Sequence, residues 1–392
     1  MQSQHIYSRD VVLILIASFF YMASSMLVTP LITGFAGSLG AGGVLMGLVG
    51  GLSNFCSLMC RPAVGNLADR ISKRRLSTVG ALLMLAGYLG YVAAHNNAVV
   101  VLARVAQGVG FACCSVCMST WMSDLLPRDR IGSGMGMYGT MNALSMAIGP
   151  AVGVQCWQHL GYHVSFCVSA LFAVGTLVTV RLVHDRGITP QAAEGPEPPA
   201  PDPEEGHLHL VDRKVLPVAT IIMLFGIPYF ATQSFLVTYV QTRQLPVAVS
   251  LFFPLYAGAL LVLRLSMRRQ FDRQPYLRFI VGCSASAAAG MVCLTFLNGN
   301  LMLLLAAAFM AGGYGLMCSV SQSTAILMAG EGHRALANST YYVGLDLGMT
   351  LGPVLGGVLF GHVDPAWFYP VLLITIPLCF AAYFMGGLGH RR

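Results

Sequence analysis

Apolar runs long enough to cross a membrane recur along the whole chain, and they leave it few ways to fold. About 20 apolar residues carry a helix through the ~30 Å hydrocarbon layer. Twelve such runs can be read, at 11–33, 44–64, 76–95, 98–121, 132–157, 164–183, 214–236, 248–267, 276–297, 300–325, 335–360 and 366–387. Charged residues make up only 9% of the 392, where a soluble domain has about 25%. Mean hydropathy is +0.70. The expected fold is an all-α integral membrane protein of twelve transmembrane helices. The 44 Gly and 19 Pro suit helices that pack closely and bend. No cleavage site of the signal-peptide kind follows the first run.

The net charge of +7 does not point to nucleic acid, because the basic residues lie in short segments between apolar runs. One set of segments holds Arg70, Lys73, Arg74, Arg75, Arg128, Arg130, Arg186, Arg213, Lys214, Arg268, Arg269, Arg273, Arg278 and Arg334; the opposite set holds Arg243. The positive-inside rule then makes the first set and both termini cytoplasmic. All 11 Cys fall within apolar runs, where small, soft side chains pack. Cys114 and Cys117 have a metal-like spacing without a His or acid nearby, so neither a metal nor a cofactor is expected. No nucleotide-binding loop of the G-x-x-x-x-G-K-[ST] kind occurs, and no enzyme constellation is visible.

The stretch 61–75 reads as a short basic loop between the second and third runs. A similar arrangement returns 203 positions later: Arg264 answers Arg61, Asp272 answers Asp69 and Arg273 answers Arg70. The same offset carries Tyr138 onto Tyr341, and Gly149, Pro150 and Gly153 onto Gly352, Pro353 and Gly356. Two pseudo-symmetric six-helix halves follow, 1–183 and 214–392, joined by a cytoplasmic linker at 184–213. Residues 190–206 (PQAAEGPEPPAPDPEEG) have the composition of a flexible tether, and His207 and His209 beside it read as solvated.

Three motifs resemble those of the major facilitator superfamily. They are GNLADRISKR at 65–74, with Ser72 where the family usually has Gly, RVAQGVG at 104–110, and SMAIGPAVG at 145–153, with Ser145 in place of the usual first Gly. The last is close to a signature of proton-driven exporters. The resemblance spans essentially the whole chain and implies alternating access between two halves. It also implies a conformational latch made by Gly65, Asp69, Arg70 and Arg74 and repeated by Asp272 and Arg273. In it, Asp69 would cap the N-terminus of span eleven near Ala335, and Asp272 that of span five near Gly132. The glycine-rich spans five and eleven, with Gly149, Pro150, Gly153, Gly352, Pro353 and Gly356, would form the seam on which the halves rock.

The intramembrane charges carry the chemistry. Arg104 lies about 9 Å into span four and Asp346 about 16 Å into span eleven, at 1.5 Å per residue. A charge that deep is expected to face a cavity or a partner. Asn338, Tyr342, Asp346 and Thr350 recur every four residues and make one polar stripe. Asp346, Arg104, Tyr342, Asn338 and Gln107 are therefore the candidates for proton coupling and substrate binding. Tyr21, Ser25, Asn54, Asn142, Tyr229, Gln233 and Gln322 are candidates for the cavity wall. Many drug–proton antiporters carry an acid in span one, and 11–33 has none. Arg104 facing Asp346 would suit a neutral, zwitterionic or weakly anionic substrate. The expectation is a monomeric secondary transporter of the bacterial inner membrane that exports a small organic molecule against protons. A sugar, metallophore or lipid exporter, a uniporter, and a non-transporting receptor or scaffold are the rivals.

Overall fold

The computed structural model describes residues 8–126, 131–184, 212–267, 274–328 and 334–388. Hydrocarbon offers a backbone nothing to bond, so each crossing closes its hydrogen bonds within itself. The described residues accordingly form helices and turns and no strand. In order they are α1 Arg9–Val28, α2 Ile32–Ser38, α3 Gly43–Arg70, α4 Lys73–Val92, α5 Asn97–Leu125, α6 Ile131–Leu182, α7 Leu216–Thr242, α8 Phe252–Met267, α9 Tyr276–Thr295, α10 Asn300–Met310, α11 Leu316–Met328, α12 Arg334–His362, α13 Phe368–Leu372 and α14 Thr375–Met385. A π-helical turn, Ala311–Gly315, joins α10 to α11 within one crossing. Among the described residues, 10 helical stretches are long and apolar enough to span. One of them, Met137–Leu182, is two crossings run together, broken where Gly161 takes φ 83°. Val249–Arg264 is a shorter apolar helix. Dividing the first and adding the second yields the twelve spans read from the sequence.

The basic stretch at 61–75 is mostly not a loop, contrary to expectation. α3 continues through Pro62 to Arg70, and the chain turns only at Ile71 and Ser72. Ser72 earns its place as the N-cap of α4, its hydroxyl accepting from the Arg75 N–H. The first turn of α4 then carries Lys73, Arg74 and Arg75, cations at the positive end of a helix dipole. Local partners offset this: Lys73 pairs with Asp124 at 2.6 Å, and Arg74 donates to the Arg181 carbonyl at the end of α6.

α1 packs along α6, and α12 along α7. The earlier and later helices meet chiefly where α3 crosses α12. That crossing is made of bare backbone: Gly43 lies against Gly361, and Gly47 against Gly357 and Pro353. A Cβ on Gly47 would sit 2.5 Å from the Pro353 carbonyl oxygen and 2.8 Å from Gly357 Cα. This contact is at the end of the bundle away from the chain's described termini. At the same far end Gln155 of α6 donates to Ser250 ahead of α8 at 2.6 Å, and Thr33 of α2 to the Ser234 carbonyl of α7 at 2.6 Å. The seam thus joins span eleven to span two and span five to span eight. Spans five and eleven were expected to meet each other. Instead, Gly149 and Gly153 press on α1, while Gly352 and Gly356 press on α7.

These close approaches set an expected difference between two glycines. A Cβ at Gly344 would fall on the backbone of Ala219 in α7, whereas Gly258 in α8 has open space around that position. Gly344→Ala should lower stability by about 1–3 kcal/mol, as overpacking does. Gly258→Ala should be neutral or stabilising by up to about 1 kcal/mol. Thermal unfolding of the two purified variants in detergent checks this; equal melting temperatures would contradict the packing described.

Candidate functional site

The polar stripe on α12 leads to the site. Thr350 donates its hydroxyl to the Asp346 carbonyl at 2.9 Å, so its polar atom is satisfied within the helix. Tyr342, one turn before Asp346, accepts a bond of 3.3 Å from Gln322 of α11. The Asn338 side chain lies outside the described residues. Asp346 itself is buried, its side chain 6% exposed, and faces α3. There it meets Arg61: Nε stands 3.2 Å from Oδ2. The two atoms are near enough for a strong ionic attraction, yet neither makes an aligned hydrogen bond. Counted at 1.5 Å per residue, Arg61 is about 14 Å from the end of α3, and Asp346 about 18 Å from the start of α12. The pair therefore lies at membrane depth and joins the earlier helices to the later ones.

Arg61 was not among the residues singled out for this role. It is the last residue before Pro62, at the edge of an apolar run, and it reads from composition as the first residue of a loop. Its signal was the repeat: Arg61 and Arg264 are the two arginines that the 203-residue offset places on corresponding helices.

Arg104 does something else. It was expected to face Asp346, and it does not. Only 2% exposed, it donates from Nε to the Val49 carbonyl at 2.7 Å, from one terminal nitrogen to the Gly50 carbonyl at 2.5 Å, and from the other to Gln107 Oε1 at 2.9 Å. Tyr91 also donates to Gln107 Oε1, at 2.6 Å, and Gln107 Nε2 reaches Ser25 at 3.3 Å. A guanidinium surrounded by carbonyl oxygens binds α3, α4, α5 and α1 together. Its physical role is a tie.

The remaining wall residues divide. Asn54 crosses the seam to the Met349 carbonyl at 3.3 Å, and Gln233 reaches Met26 Sδ at 3.9 Å. Tyr21 pairs with Tyr138 at 2.9 Å inside the earlier helices. Asn142 Oδ1 is buried without a hydrogen-bond partner. Tyr229 stacks on Tyr314 of the π-turn, centroids 4.3 Å apart and planes at 12°, and is tilted at 31° to Tyr256, 4.8 Å away. Of the expected latch, the side chains of Asp69 and Arg70 and all of Asp272 and Arg273 lie outside the described residues. Arg74 is engaged with Arg181 within the earlier helices, and Gly65 has open space beside it.

Comparison with known proteins agrees with this architecture. The family model of the Major Facilitator Superfamily matches residues 14–326 and 276–388. The chain is similar to the "Quinolone resistance protein NorA" of Staphylococcus aureus, 22% identical over 86% of this chain and 87% of that protein. It is 30% identical to the "Multidrug resistance protein MdtL" of Shewanella oneidensis over 31% of this chain and 32% of that one. Among solved structures, the nucleoside transporter NupG superposes with TM-score 0.78 at 12% identity, over 96% of this chain and all of that one. A bacterial homologue of the lysosomal transporter Spinster, inward-facing and unoccupied, superposes with TM-score 0.75 at 12% identity, over 98% and 97%.

The tie at Arg104 and the contact at Asp346 are expected to respond differently to removal. Arg104→Ala leaves the Val49 and Gly50 carbonyls without the guanidinium and Gln107 Oε1 with Tyr91 alone, at a cost of about 1.5–3 kcal/mol for a charge-assisted bond lost. It should sharply lower membrane abundance and unfolding temperature. Asp346→Asn removes only one unaligned ionic contact and should leave both nearly unchanged. Quantifying each variant in membranes and by thermal unfolding tests this; an Arg104→Ala protein as stable as the parent would remove the tie.

Proposed function

The chain belongs to the Major Facilitator Superfamily, and from that premise we propose that it exports a small organic molecule through the bacterial cytoplasmic membrane in exchange for protons. It is a multi-pass membrane transporter of small-molecule substrates and not an enzyme. The antiport reading rests on one observation, the ionic contact between Arg61 and Asp346 at membrane depth; cytoplasmic termini rest on the positive-inside charge pattern.

The contact gives exchange a physical basis. Ionised and unpaired, Asp346 would cost at least about 2.5 kcal/mol at that depth, so it stays with Arg61. Paired, it fastens α12 to α3 and keeps the halves from moving. Two events free it. A proton makes the carboxyl neutral and removes the attraction. Alternatively, a bound substrate can take over one of the two partners. Rocking is therefore allowed with a proton or with cargo aboard and disfavoured with neither, which is the condition for antiport. The positive-inside charge pattern makes the glycine-closed far end the outer one, so the structure corresponds to a carrier shut toward the outside. The names of the similar proteins, which speak of quinolone and multidrug resistance, support export over import and make quinolones the first compounds to try.

Efflux from vesicles with and without an imposed pH gradient tests this reading. One pH unit is worth about 1.4 kcal/mol per proton, so the parent protein should show up to about tenfold accumulation under a gradient. Asp346→Asn, a permanent mimic of the protonated acid, should reach the membrane, exchange substrate for substrate, and ignore the gradient. A variant as responsive as the parent would make Asp346 a structural tie and end the proposal.

A further inference from the structure

The 203-residue repeat holds in three dimensions, with α12 offset from α6 by 203 residues and their partners on α7 and α1 offset by 204. Ser145 of α6 donates to the Phe19 carbonyl of α1, and its counterpart Gly348 of α12 lies on the Met223 carbonyl of α7. Gly149 of α6 rests on Ala23 and Leu27 of α1, and Gly352 of α12 rests on Ile227 and Ala231 of α7. The two seams also correspond. Where Gly47 of α3 meets Gly357 of α12, the counterpart position on the α8 side, Ser250, is bonded to Gln155 of α6. Span two on span eleven and span eight on span five are therefore two copies of one contact.

Carried by the same offset, the Arg61–Asp346 pair becomes Arg264 on α8 and residue 143 on α6. Residue 143 is alanine. The arginine is present in both copies and the acid in one. The consequence is visible at Arg264: its Nε is buried and has no hydrogen-bond partner, and no acid among the described residues pairs with it. Arg61 Nε, its counterpart, at least has Asp346 beside it. Arg264 lies about 18 Å along α8 from that helix's far end. α8 packs on the π-turn that carries Tyr314. Tyr314 belongs to a buried aromatic cluster, stacked on Tyr229, which tilts against Tyr256.

Arg264 is half-buried, with its Nε buried and unpartnered; leaving that atom without a counter-charge is costly, and a negative charge brought to it recovers part of that cost. We propose that Arg264 receives a carboxylate, or another singly charged anionic group, of the transported molecule, in the place opposite Ala143 that Asp346 fills in the other copy. This rests on the reading of the chain as an exporter of small organic molecules and names their class: organic monoanions. With Arg61 matched by Asp346 and Arg264 unmatched, the repeated contact carries one positive charge in excess, and such a cargo neutralises it.

The test is binding to the purified full chain in detergent, read as ligand-induced change in unfolding temperature. The probes are a quinolone carboxylic acid, the methyl ester of the same molecule, and short-chain phosphatidylglycerol as a lipid source of the same anionic chemistry. The acid should bind at least about tenfold more tightly than the ester, as expected for a charge-assisted bond. Arg264→Gln should erase that preference and Arg264→Lys should keep part of it. Ala143→Asp supplies the missing counter-ion within the protein, so it should raise the unfolding temperature and also erase the preference. It keeps the test open if Arg264→Gln fails to fold. An acid preference that survives in Arg264→Gln or in Ala143→Asp overturns the proposal, and so does stabilisation by the lipid with none by the acid. Failure of the export reading looks different: the acid would bind through Arg264 as described, while no pH gradient would drive its efflux.

Discussion

Lipid tails are as apolar as leucine, so helices in a bilayer gain little by hiding apolar side chains from them, and shape has to hold the bundle together. Here the shape is set by α12, which has two bare edges. Gly344, Gly348, Gly352 and Gly356 lie on α7, and Pro353, Gly357 and Gly361 lie on α3. One edge joins α12 to its own set of helices and the other joins it to the opposite set. Relative movement of the sets has to work against this helix as well as against the smaller contacts of α6 and α2. Asp346 is on the same helix, so a change in its charge acts directly on the element that must move.

Three arginines on the spanning helices show how differently one residue type can be used. Arg104 is surrounded by oxygens and ties four helices. Arg61 holds one carboxylate loosely, without an aligned hydrogen bond, which suits a contact that must be made and broken. Arg264 has no counter-charge among the described residues. A rigid tie, a reversible contact and an open receptor differ here only in what stands across from the guanidinium.

How much of this the sequence disclosed follows from what each feature is made of. The spans were legible because hydropathy is a sum over side chains, and the repeat because short landmarks keep a constant offset. Arg61 was misplaced because an apolar run ends before its helix does: α3 continues to Arg70 on backbone hydrogen bonds that a composition window does not register. The work of Arg104 was illegible because two of its three partners are carbonyls of Val49 and Gly50, and every residue has a carbonyl. Glycines announced close approach in spans five and eleven without saying to which helix. Asp346 was found because an acid in the middle of an apolar run needs a partner, although the partner turned out to be Arg61 instead of Arg104.

The π-turn at Ala311–Gly315 has a consequence for span ten. An α-helix advances 100° per residue, and a π-turn takes up one residue more than an α-turn would. The two parts of this crossing are therefore out of phase by about the width of one residue. α10 keeps its own phase against α9, and α11 is rotated so that Cys318 reaches Tyr341 and Gln322 reaches Tyr342. Loss of a single residue from the AGGYG segment would bring the two parts back into phase and swing both contacts away from α12. The surplus residue in this turn thus acts as a phase shift that aims α11 at the helix carrying Asp346.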